Sequence, residues 1–103
     1  MTLDTAGVTG RVLDHIFSDH IVDEQVADRI HVIVYRIPED DEMLVEGGSA
    51  HDVVLREAED EDGHRKVVES WGSFGSAEKA CVHALDLAET HDVVVWDDIV
   101  ELR

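Results

Sequence analysis

One cysteine, one proline and two lysines stand among 103 residues. Cys81 has no second cysteine to bond, so no internal disulfide staples the fold. Lys66 and Lys79 belong to a set of only eight bases, set against 25 acids for a formal net charge of −17. A protein that grips phosphate backbones needs a basic patch to displace counterions, and none is visible here. The expectation is therefore no nucleic acid and no anionic membrane as partner. No apolar run approaches the roughly 18 residues that a membrane span requires. The start, MTLDTAG, carries neither the basic nor the apolar region of a signal peptide, so a cytoplasmic protein is expected.

Catalytic signatures are missing too. There is no H-E-x-x-H, no paired C-x-x-C and no G-x-S-x-G. Seven histidines are present, but their spacing builds no metal site. His15 and His20 stand five apart, which turns them to different faces of a helix. Cys81 and His83 stand two apart and diverge in the same way. A small enzyme or metalloprotein would need a histidine site assembled by folding. No catalytic residue, metal ligand or cofactor is assigned from the pattern. Cys81 lies among alanines at helical spacing and reads as a small, inert core residue.

What is present is an apolar content of 44%, too high for a disordered chain. The chain is long enough for one domain spanning residues 1–103, with 1–7 as a loose arm. Thr9 reads as the cap of a helical region running from about Gly10 towards Ser18 or beyond, with Val12, Leu13, Ile16, Phe17 and Ile21 as an amphipathic stripe. It is either one helix or two, broken near Ser18-Asp19 and resumed through Asp23 to Asp28 with Val26 and Ile30 on its apolar side. Ile30 to Ile37 (IHVIVYRI) is the clearest strand, apolar on both faces and closed by Pro38. Glu39-Asp40-Asp41-Glu42 reads as a solvated turn, Met43-Leu44-Val45 as a short strand or flap, and Gly47-Gly48-Ser49 as a loop. Asp52 to Ala58 and Arg65 to Trp71 read as a hairpin around Asp62-Gly63, with Glu57 opposite Arg65 or Lys66.

A second helix follows Ser76, with Ala77, Ala80, Cys81, Ala84, Leu85 and Ala88 on its inward face, ending near Thr90. Val93 to Trp96 is a short apolar strand, interrupted at Asp97-Asp98, with Ile99 to Leu102 as an extension or tail. Trp71 and Trp96 bracket this crossover as core anchors. The expected fold is a two-layer α+β sandwich. Its sheet is mostly antiparallel with three or four strands, its helices cover one face, and its order is α-β-β-β-α-β.

The sharpest local signal is the segment GSFGS at 72–76. A strand, a glycine loop and a helix start can bind an anion, because free backbone N–H groups and the helix dipole point the same way. Gly72, Ser73, Gly75 and Ser76 are the candidate ligand-binding residues, with Lys79 one turn in. Glu78 places a negative charge in the same first turn. The structural alternative is a tight turn followed by an N-cap.

Three resemblances follow from these residues. Many acids, few lysines and modest aromatics resemble small acidic proteins of haloarchaeal type, which implies a protein working in concentrated salt. At ~1 M salt the Debye length is about 3 Å, so self-repulsion is screened. The outline α-β-β-β-α, with GSFGSAEKACVHAL at the second helix, resembles a double-stranded-RNA-binding domain. That family holds phosphates with a basic pair where this chain has Ala77, Glu78 and Lys79. The segment from about Asp52 to Trp96 also resembles small β-β-α-β modules whose helix opens S-x-E-x-A, here Ser76, Glu78 and Ala80. The functional expectation is a non-enzymatic accessory or interaction domain adapted to high salt, with a homodimer or another protein as partner. The alternatives are a small-ligand or anion-binding domain using the GSFGS segment, or a folded histidine site.

Overall fold

The β-branched run after Ile30 forms the third strand and lies in the middle of the sheet. The computed structural model describes residues 8–24, 26, 28–37 and 50–101. The expected arm, the acidic turn after Pro38, the Met43–Val45 segment and the Gly47–Ser49 loop lie outside them. In chain order come β1 (Val8–Arg11), a 3-10 turn (Val12–Asp14), β2 (Ile21–Val22), β3 (His31–Ile37), β4 (Ala50–Arg56), β5 (Val67–Phe74), α1 (Ala77–His91) and β6 (Val94–Glu101).

The sheet runs β1-β6-β3-β4-β5, with β2 also on β6. Strands β3 and β4 pair antiparallel from His31↔Arg56 to Ile37↔Ala50. Strand β5 is antiparallel to β4, and β6 is parallel to β3. Strands β5 and β6 therefore point the same way, and α1 carries the chain between them past β4 and β3. A crossover with a helix is the usual way to join strands of one direction.

The α+β class and the mostly antiparallel sheet agree with the sequence. The strand count and order do not. Among the described residues the sheet has six strands, and the expected first helix is replaced by β1, one 3-10 turn and β2. Thr9 is a strand residue rather than a cap. The supposed stripe is divided: Val12 is fully buried, Leu13 is 37% exposed and Phe17 is 86% exposed. Val8, Thr9 and Gly10 are all weak helix formers, and β6 offers them a ladder to join. The α-β-β-β-α outline thus lacks its first helix.

The core lies between α1 and one face of the sheet. Val32, Val34, Val53, Leu55, Val95 and Ile99 meet Ala80, Cys81, Ala84, Leu87 and Ala88, with Val12 closing one side. Small helix residues let the axis approach the strands closely. Strand alternation sends Ile33 and Val54 to the opposite face, where they are also buried. On α1, Leu87 takes the buried position expected of Leu85, which is only half-buried. With 3.6 residues per turn, 87 falls nearer the centre of the 80–84–88 stripe than 85 does.

Strand β6 does not stop at Asp97-Asp98. Val32 pairs with Val95 but Val34 pairs with Ile99, so residues 96–98 form a bulge in a continuous strand. The first half of β6 is flanked by β2 and the second half by β1. Trp96 is half-buried and outside the main core, whereas Trp71 packs against it.

Candidate functional site

The GSFGS segment divides between two elements. Gly72, Ser73 and Phe74 are the end of β5, and only Gly75 and Ser76 remain as a bend before α1. Gly72 is explained by its neighbour strand: a Cβ there would stand 2.0 Å from Asp52 Oδ1. A Cβ on Gly75 would meet nothing within 4 Å. Ser76 has extended backbone (φ −149°, ψ 155°), and its hydroxyl oxygen accepts the Lys79 N–H at 3.2 Å. Ser76 is thus a working N-cap, as its sequence context implies.

Of the four candidate residues, Ser76 reaches a cleft. Its volume is about 660 Å³, and its walls include Phe74 at the end of β5 and Ser76, Lys79, Val82 and His83 along α1. Glu78 and Asp86 complete its rim. His83 sits against the aromatics of β5, with its ring 4.9 Å from Phe74 and 5.5 Å, edge-on, from Trp71. Its Nε2 is enclosed and has no hydrogen-bond partner among the described residues. Val82 is 51% exposed beside it. The arrangement combines an apolar wall, one oriented imidazole and a charged rim. That is the usual chemistry of a small-ligand cleft.

From sequence alone His83 only diverges from the Cys81 face, Trp71 reads as a core anchor and Phe74 as part of the GSFGS segment. No local spacing unites them, because two come from a strand and one from a helix. The signal was indirect: an aromatic on each side of Gly72-Ser73, just ahead of a helix with a histidine two turns in.

The other titratable groups divide into a buried set and an exposed set. His31 is fully buried, its Nδ1–H donates to the Arg29 carbonyl at 2.9 Å, and its Nε2 accepts from Arg56 Nε at 2.6 Å. Arg56 Nη1 donates to the Tyr35 hydroxyl at 2.8 Å. Burial is the main cause that lowers the His31 pKa below its ordinary value. His51 is 3% exposed, its Nδ1 has no partner among the described residues, and burial lowers its pKa as well. The Cys81 thiol is pushed up to about 12 by burial, consistent with an inert core residue.

Among the described residues, metal-type donors come together at the hairpin tip. Asp60, Asp62 and His64 converge there, all exposed. Asp60 Oδ1 already accepts the Asp62 and His64 N–H groups at 2.9 and 2.8 Å, and Gly63 turns the loop at φ 81°. These bonds explain the loop as a turn. The expected proximity of Glu57 to Lys66 is realised through the backbone, with Glu57 N–H donating to the Lys66 carbonyl at 2.8 Å. The side-chain pair of this hairpin is Arg65 with Glu59 at 3.3 Å.

Comparison with known families, curated proteins and solved structures finds no match to this chain. Its site is therefore read from its own geometry. No helix among the described residues is long and apolar enough to cross a membrane.

Proposed function

We propose that this chain is a non-enzymatic binding module of a high-salt cytoplasm, and that its ligand occupies the cleft between the end of β5 and the outer face of α1. The observation that carries this reading is His83. Phe74 and Trp71 hold its ring, its Nε2 lacks a protein partner among the described residues, and an apolar wall of Phe74 and Val82 adjoins it. A small molecule with a planar or apolar body matches that wall, and a ring turned towards the cleft would offer it the enclosed nitrogen. The charge of −17 supports the high-salt part, since screening removes the self-repulsion such a charge creates.

The binding arm is tested by a ligand-observed NMR screen in molar KCl. The library contains heteroaromatic fragments on one side and inorganic phosphate and nucleotides on the other. Heteroaromatic binding lost in His83→Ala supports the cleft. Binding of phosphate alone, lost instead in Lys79→Gln, moves the site to the helix start and to Gly75 and Ser76. No binding from either class contradicts both.

A second reading is a homodimer through the sheet edge. Among the described residues β5 is that edge, and Val67 and Val68 on it are 53% and 45% exposed. An open edge strand invites pairing with another chain. Its register against β4 shifts twice, between His51/Val53 and between Leu55/Arg56, and such bulges interrupt a straight ladder. Sedimentation in molar KCl separates the cases: a dimer that Val67→Lys dissolves favours the edge, and monomer at high concentration removes it.

A further inference from the structure

On the face of the sheet opposite α1, Arg56 presents a positive charge that, among the described residues, neutral groups hold. The register places Arg56 beside His31 on β3 and Val67 on β5. Its Nε donates to neutral His31 and its Nη1 to the Tyr35 hydroxyl. In a chain with 25 acids, no carboxylate forms an ion pair with Arg56 among the described residues. The charged side chain that acts on it there is another cation, Arg65, and Arg29 and Arg65 both act on the adjoining His31. A partly buried charge with no counter-charge is costly. The remaining amino group, Nη2, has no acceptor among the described residues.

We propose that Arg56 Nη2 holds a small inorganic anion of the halide class, chloride in a chloride-rich medium. Geometry and charge together favour a monovalent anion. A carboxylate or phosphate is favoured where a guanidinium offers two parallel N–H bonds. Nε is committed to His31, which closes the side-on Nε/Nη2 fork, and Tyr35 takes one Nη1 hydrogen. A spherical monovalent acceptor needs no fork. A net charge of −17 opposes multivalent anions more strongly than monovalent ones. At molar chloride even a weak site is filled, and binding to the folded state alone raises stability by mass action. This site is separate from the cleft beside α1 and stands or falls independently of it.

The test is the chlorine NMR linewidth of KCl solutions containing the protein, with crystals of the unmodified protein soaked in bromide as a second measurement that requires no variant. The expected result is excess linewidth that is lost in Arg56→Gln and kept in Lys79→Gln, together with an anomalous bromide peak at hydrogen-bonding distance from Nη2. An excess linewidth unchanged by Arg56→Gln overturns the assignment. So does the absence of a peak at Arg56 in molar bromide. If phosphate at millimolar concentration displaces chloride from Arg56, the site is an oxyanion site and the halide assignment is wrong.

Discussion

Arg11 and Asp97 lie 86 positions apart in sequence and meet as an ion pair where β1 joins the bulge of β6. Asp97 is 2% exposed, accepts from Arg11 Nε at 2.6 Å and accepts the Leu13 N–H at 3.2 Å. One carboxylate therefore ties down β1 and caps the turn that follows it. Asp97→Ala strands the Leu13 N–H and should cost about 1–3 kcal/mol in urea unfolding. Arg11→Leu should cost more than Asp97→Asn, because it leaves a buried carboxylate without its cation. The reverse order would show that the pair does not organise this edge.

His31 and His51 give the protein an acid-side weakness. Both pKa values are lowered in the fold, chiefly by burial, from an ordinary 6.5. The unfolded chain then takes up protons first as pH falls. The stability these groups supply is complete above pH 6.5 and declines below it. Protonated His31 would also lose its acceptor role towards Arg56 and place two cations together. Urea midpoints in molar KCl, where general charge repulsion is screened, should be level above neutrality and fall through the range below about pH 6.5. His31→Gln should flatten part of that slope. A midpoint that rises on acidification would contradict the neutral buried pair.

The inward face of α1 can be checked by truncation. Leu87 is 8% exposed in the core, whereas Leu85 is half-buried. Leu87→Ala should cost about 2–4 kcal/mol and Leu85→Ala clearly less. Ala84 is fully buried against the sheet. Ala84→Leu should cost about 1–3 kcal/mol by overpacking. Equal losses at 85 and 87 would mean the helix is rotated from its described position.

The two glycines of GSFGS should behave oppositely. A Cβ at Gly72 collides with Asp52, which has contacts of its own to keep. Gly72→Ala should therefore destabilise by about 1–3 kcal/mol. At Gly75 there is open space and φ is not positive. Gly75→Ala should be neutral or stabilise by about 0.4–1 kcal/mol by restricting the unfolded chain. Thermal unfolding of the two variants side by side decides the matter.

Strand β3, the hairpin of β4 and β5, the Ser76 cap and the length of α1 were legible because each rests on a local signal. Those signals are a β-branched run apolar on both faces, Asp-Gly, a serine before an apolar stripe, and a 3.6-residue repeat. The helix end is local as well, though less familiar: Asp92 takes the left-handed conformation at φ 54° that glycine usually supplies. The N-terminal segment was misread because its decisive partner is distant. Nothing near Leu13 announces that its N–H will be met by Asp97. For the same reason Asp97 read as an interruption, although burial and Arg11 make it part of the strand. The cleft was invisible because His83 meets Phe74 and Trp71 only after β5 and α1 have packed.

Chemical-shift mapping of a bound heteroaromatic fragment, in molar KCl, tests the proposed cleft most directly. Shifts concentrated at Phe74, Val82 and His83, and abolished by Val82→Glu while the fold is retained, are the expected result. Shifts confined to the Arg56 face or to the Asp60–His64 loop, or none at any fragment concentration, would contradict a ligand cleft beside α1.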